Sequence, residues 1–136
     1  MAELSGLRIL VVEDEWLIAS VMEAALANAR CEVVGPVGTL QQALERVFRN
    51  QFDAALVDLN LHGEMAFPVA DALAEKGTPF LLVTAYEPSQ LPEAYRSCPR
   101  CQKPCSPDRL LDALSEVVHA RRVKQGGQCA SGTAPA

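Results

Sequence analysis

The chain has 136 residues, 49% of them hydrophobic and 21% charged, with a formal net charge of −5. That length fits one ordinary domain, and the hydrophobic share predicts a packed core and excludes a disordered chain. The acidic balance without a basic stripe argues against nucleic acid as a partner. The lack of a long apolar run or a signal-peptide build argues against a membrane and for a cytoplasmic setting.

The elements follow in chain order. Residues 7–14 (LRILVVED) form an aliphatic run that suits a strand buried on both faces and ends in acids. Leu17, Ile18, Val21, Met22, Ala25 and Leu26 then recur at helical spacing. Trp16 should pack at the start of that helix, close to the acids. Residues 31–37 (CEVVGPV) read as a second short strand stopped by Gly35-Pro36. Leu40, Ala43, Leu44, Val47 and Phe48 give the next helical stripe. Residues 53–61 (DAALVDLNL) make a third buried strand, again ending in an acid.

Residues 66–76 predict a helix with Pro68 in its first turn and Gly77 past its end. Residues 79–86 (PFLLVTAY) predict a fourth strand. The following helix, 87–97, should be short or irregular because it holds Pro88 and Pro92. Residues 100–103 (RCQK) predict a brief fifth strand. Ser106-Pro107 is an N-cap with proline at the first helical position, and Leu110, Leu111, Leu114, Val117 and Val118 line the last helix. His119 and the basic run at its end read as a solvated helix terminus. From residue 123 a disordered tail is expected, leaving 1–122 as the domain.

Five β-α units with buried strands predict an α/β fold: a doubly wound parallel sheet with helices on both faces. Ligands in such sheets sit beyond the carboxyl ends of the strands. The residues placed there are Glu13, Asp14, Asp58, Thr84 and Lys103. Like charges ~4 Å apart repel by about 4 kcal/mol at an effective dielectric of about 20, so converging acids raise a pKa or bind a cation. Hard oxygen ligands with open positions favour Mg²⁺. Asp58 could serve as metal ligand and as nucleophile toward phosphorus. Lys103 suits a phosphoryl oxygen, and the Thr84 hydroxyl can donate to another.

Val12-Glu13-Asp14-Glu15, Leu56-Val57-Asp58-Leu59-Asn60, Val83-Thr84-Ala85 and Lys103-Pro104 stand in this order at the strand ends. Through these four pieces the chain resembles the receiver domain of two-component response regulators over residues 7–122. The resemblance implies the flavodoxin-like (βα)₅ fold with strand order 2-1-3-4-5. It implies Asp58 as phosphoacceptor, served by a histidine kinase or a histidine phosphotransfer protein. Glu13, Asp14, Asp58 and the backbone carbonyl of Asn60 would hold Mg²⁺, and Thr84 and Lys103 would contact the phosphoryl group. Lys103-Pro104 is a candidate cis bond. Output would pass to a downstream protein through the face of the fourth helix, fifth strand and fifth helix, which could also form a homodimer. The family's aromatic switch position holds Arg100, with Tyr86 as the alternative switch. Leu61-His62 replaces a common Met-Pro pair, and Glu13 is a frequent variant of the first acid.

Cys98, Cys101 and Cys105 raise a competing reading as a thiol redox or metal module. Three cysteines fall one short of a structural zinc site, and cytosolic thiols stay reduced, so buried packing is expected and no disulfide framework. A Mg²⁺-dependent phosphohydrolase with an aspartyl nucleophile is a further alternative. It would want a second acid two residues after Asp58, where Asn60 stands. The expected character is therefore a regulatory phosphoacceptor and not an enzyme. Blander roles are expected for Glu15, a helix cap, and for His62, an ordinary loop residue.

Overall fold

Every second residue of each central strand faces the same side of the sheet, and here both sides are apolar. The computed structural model describes residues 4–124. Strands β1 (Arg8–Val12), β2 (Glu32–Val37), β3 (Ala54–Asp58), β6 (Phe80–Thr84) and β7 (Arg100–Gln102) form one parallel sheet in the order β2-β1-β3-β6-β7. Leu10, Val12, Ala55, Val57, Phe80 and Leu82 point to a core shared with α2 (Leu40–Arg49) and α3 (Phe67–Glu75). Ile9, Val11, Ala54, Leu56, Leu81 and Val83 point the other way, to α1 (Trp16–Asn28) and α4 (Pro107–Lys124). The fold is thus the expected flavodoxin-like sheet with helices on both faces.

The helix ends follow from local chemistry. The Thr39 hydroxyl accepts from the Gln42 amide at 3.1 Å, and Ser106 caps α4 by accepting from the Arg109 amide at 3.2 Å. Gly77 takes φ +71° just after α3, a turn that a side chain would strain. Arg121 on α4 donates its Nε–H to the Gly77 carbonyl and ties the last helix to that turn.

The structure departs from the sequence expectations at several points. β2 is not stopped by Gly35-Pro36 but runs through it, with a bulge between the Leu10–Val34 and Val12–Val37 pairs. It is an edge strand, where proline's missing N–H costs no ladder bond. A Cβ on Gly35 would lie 3.1 Å from the Val11 carbonyl, so the close approach requires glycine. A small antiparallel hairpin, β4 (Asn60–Leu61) with β5 (Glu64–Met65), follows β3. His62 and Gly63 turn it with φ of +53° and +86°, the sign a two-residue hairpin loop needs.

Between β6 and β7 the chain makes two 3₁₀ turns, Pro88–Gln90 and Glu93–Tyr95, and no α-helix. Pro88 and Pro92 shorten the segment as expected, to the point that the fourth helix of the expected docking face is absent. Leu17 and Phe48, assigned to apolar stripes, are 66% and 80% exposed, and Trp16, expected to pack at the start of α1 beside the acids, is 75% exposed. Helix α1 is apolar around more than one face, so spacing alone did not say which face is buried. Helix α4 is continuous to Lys124, and residues 125–136 of the expected tail lie outside the described residues.

Candidate functional site

The carboxyl ends of β1, β3, β6 and β7 converge because the parallel sheet brings all four to one edge. β1 delivers Glu13 and Asp14, β3 Asp58, β6 Thr84, and β7 Lys103. One carboxylate oxygen from each of Glu13, Asp14 and Asp58 lies within 4.8 Å of the others. Glu13 and Asp58 are only 3% and 4% exposed, and Thr84 is buried beside them. The structure therefore gathers Asp14, Asp58, Thr84 and Lys103 into one cleft of about 440 Å³ that also borders Asn60, His62 and Tyr86, with Glu13 buried behind it against Lys103.

Lys103 is the cation facing these acids. Its Nζ lies 3.3 Å from Asp58 Oδ1 and 3.7 Å from Glu13 Oε1. Its amide donates to the Thr84 carbonyl at 2.8 Å, which anchors the backbone to β6. The Lys103–Pro104 peptide is cis, as is Gly35–Pro36. Asp58 Oδ1 also accepts from the Asn60 amide at 3.3 Å, and the Asn60 side chain accepts from the Gly63 amide, closing the hairpin under the site. Thr84 Oγ1 accepts from the Tyr86 amide at 3.0 Å.

Three acids face one lysine, so negative charge is in excess. Burial pushes the Glu13 carboxyl up to about 8, reinforced by Asp58 beside it and opposed by the Glu15 amide and Lys103. Burial also raises Asp58, against the pull of its Glu13 hydrogen bond and of Lys103. Glu13 Oε1 is buried without a hydrogen-bond partner. A buried acceptor left unpaired costs roughly 1–3 kcal/mol, so the cluster is built for a positive guest. Hard oxygen donors that leave coordination positions open match a small divalent cation such as Mg²⁺.

Other expected roles resolve differently. Glu15 occupies the N-cap position of α1, but its side chain makes no capping bond. His62 is less idle than expected: its amide donates to Asp14 Oδ2 at 2.9 Å and its Nδ1 lies 3.1 Å from the same oxygen. Arg100 lies outside the cluster and donates to the Arg96 and Cys98 carbonyls. Tyr86 is half-buried against the core at the cleft's rim.

The cysteines do not gather as a ligand set. Cys98 is buried in the core on the α2–α3 side, and Cys101 in the opposite core. Cys101 is disulfide-bonded to Cys105, contrary to the expectation of reduced thiols. Among the described residues Glu13, Asp14 and Asp58 are the one group of three or more candidate metal ligands. Beside Lys103 an apolar groove of about 560 Å³, lined by Leu17, Val21, Pro104, Cys105 and Leu110, opens between α1 and α4.

Comparison with known proteins adds the family. A family model described as the response regulator receiver domain matches residues 9–115. The solution structure of SdrG from Sphingomonas melonis Fr1 is 39% identical, with a TM-score of 0.73 over 87% of this chain and 99% of that one. The response regulator PhyR from Brucella abortus is 25% identical, with a TM-score of 0.76 over 88% of this chain and 51% of that one. The sensory transduction protein LytT of Bacillus anthracis is 27% identical over 115 residues, 81% of this chain and 46% of that protein. The chain thus spans about half the length of the curated relatives it matches. It belongs to the receiver-domain family of two-component response regulators.

Proposed function

We propose that this receiver domain accepts a phosphoryl group on Asp58 from a histidine kinase or a histidine phosphotransfer protein, and passes the signal on by binding another protein. The observation that carries this reading is the contact of Lys103 Nζ with Asp58 Oδ1, 3.3 Å apart inside a cluster of three acids. A free Asp58 oxygen attacks phosphorus, a P–O bond forms, and the P–N bond to the donor imidazole breaks with its electron pair leaving on nitrogen. Lys103 stabilises charge on one equatorial oxygen, and the Thr84 hydroxyl donates to another. Glu13, Asp14, Asp58 and the Asn60 carbonyl would hold Mg²⁺, and Glu13 Oε1, buried with no hydrogen-bond partner and only a 3.7 Å contact to Lys103 Nζ, fits that role. Bound there, Mg²⁺ supplies charge neutralisation for the transferring group.

The donor must approach along the open side of the cleft. The exposed Trp16, Leu17 and Val21 and the groove next to Lys103 give that approach an apolar rim, suited to a helical protein donor. Among the described residues no helix is long and apolar enough to cross a membrane. Phosphorylation adds charge beside Thr84, whose hydroxyl holds the Tyr86 amide, so drawing that hydroxyl to the phosphoryl group releases Tyr86 and its loop. Tyr86 is thereby favoured over Arg100 as the switch, since Arg100 is engaged with the carbonyls of its own loop.

The test is beryllofluoride, which mimics an aspartyl phosphate. With Mg²⁺ it should move the amide resonances of Asp58, Thr84 and Tyr86 in the native chain and leave Asp58→Asn unmoved. A native chain that does not respond would count against the reading, as would an equal response of the variant.

A further inference from the structure

The disulfide brackets the lysine. Cys101 lies on β7, in register with Val83 of β6, and is 3% exposed. It is bonded to Cys105, four residues on, and the midpoint of the five-residue ring so closed is Lys103. The two ends of the ring differ. Cys101 is held by the sheet and the core, while Cys105 is half-buried and lines the groove between α1 and α4. Lys103 is fixed inside the ring by the hydrogen bond its backbone amide donates to the Thr84 carbonyl, and its side chain reaches Asp58 and Glu13.

We propose that Cys101 and Cys105 form a thiol–disulfide exchange site whose state sets the position of Lys103 and hence the rate of phosphoryl transfer at Asp58. The rate effect rests on the proposed role of Lys103. Opening takes two exchanges with thiols of the glutathione or dithiol-reductase class. A thiolate attacks Cys105 Sγ, the accessible end. A new S–S bond forms, the Cys101–Cys105 bond breaks, and its electron pair leaves on Cys101 Sγ, which takes up a proton. A second thiolate then displaces the Cys105 sulfur, which is also protonated. The protein has gained two electrons and two protons, and the reductant has become its disulfide. Closure is the reverse, with a small-molecule disulfide as oxidant. In a thiol-buffered compartment the pair rests open, and an oxidising shift closes it.

With the bond closed, the chain on both sides of Lys103 is pinned and its ammonium is held at the acids. With the bond open, Cys105 loses its covalent tie to β7, and the chain after Lys103 is held to the sheet only through the Lys103 amide. The flexible lysine side chain then spreads over more rotamers, and fewer of them place the charge at the phosphoryl oxygens. Cys98 has no part in this, since it is buried on the other side of the sheet.

The experiment compares phosphorylation rates with acetyl phosphate and Mg²⁺, read by intact mass, in the bonded chain and after phosphine reduction. Alkylation verifies the two states, because the open chain takes up two more alkyl groups. The rate should fall by about threefold to tenfold on reduction, a fraction of the effect of removing the Lys103 charge altogether. Cys105→Ser should match the reduced native chain and ignore the reductant. Equal rates in the two states would overturn the proposal. If neither state is phosphorylated, the reading of Asp58 fails, and the Lys103 side-chain carbon resonances, assigned with Lys103→Arg, decide separately. A change on reduction that Cys105→Ser reproduces supports the exchange site acting on Lys103, and unchanged resonances overturn it.

Discussion

Glu13→Gln should make the cation-free protein more stable at neutral pH, although it removes a residue proposed to bind metal. The side chain is 3% exposed, and its Oε1 has no hydrogen-bond partner. In the unfolded chain the acid titrates near 4.5, and in the folded chain near 8. A folded value above the unfolded one means that folding takes up a proton between these limits. The stability this group contributes is whole below pH 4.5, is lost as pH rises toward 8, and levels off above. At pH 7 about two and a half pH units of that window have been crossed, and at about 1.4 kcal/mol per unit the loss is about 3 kcal/mol. Glutamine carries no charge at any pH and escapes it. The variant should therefore match the native chain near pH 4 and exceed it by about 3 kcal/mol at pH 7, or roughly 10 °C in Tm for a domain of this size. Thermal unfolding with chelator from pH 4 to 8.5 reads the difference, and added Mg²⁺ should raise the native chain more than the variant. A variant less stable at pH 7 with chelator would refute the reasoning, as would a stability gap that does not grow with pH.

Mg²⁺ competes with the proton on Glu13, so its affinity, followed by titration with Trp16 fluorescence as reporter, should fall as pH drops below about 8. A pH-independent affinity would contradict the assignment of Glu13. Lys103→Ala should slow phosphorylation from acetyl phosphate by about tenfold or more through the loss of a charge at the transferring group, measured by intact mass against time. An unchanged rate would remove Lys103 from the site. Leu82→Ala, at a fully buried position in the middle of β6, should cost about 2–5 kcal/mol in urea unfolding. Leu17→Asp should leave the acetyl phosphate reaction unchanged but cut transfer from a phosphodonor protein by about tenfold, since it charges the rim of the groove beside Lys103. Equal loss with both donors would mean that the substitution damages the site and not the docking.

The sheet was legible because its central strands are buried on both faces and read as unbroken aliphatic runs, as in residues 9–12 and 54–57. The site was legible for the same reason: strand ends are marked by the switch from aliphatic to polar at Glu13, Asp58 and Thr84, whereas Lys103 follows the polar Gln102 and was placed by its Lys-Pro pair. The short hairpin at Asn60–Met65 was not, since two-residue strands carry no period. Phe48 and Leu17 were assigned to buried faces because helical spacing gives a stripe but not its width. The bond between Cys101 and Cys105 depends on how the chain turns after β7, and a spacing of four residues does not reveal that. The 3₁₀ turns between β6 and β7 were half visible, since Pro88 and Pro92 forecast an irregular segment but not the loss of the α-helix.

Intact mass after incubation with acetyl phosphate and Mg²⁺ tests the central claim most directly. The account predicts one added phosphoryl group on the native chain, none with chelator, and none on Asp58→Asn. An adduct that persists in Asp58→Asn, or a native chain that stays unmodified under conditions that also fail to yield a beryllofluoride complex, would contradict it.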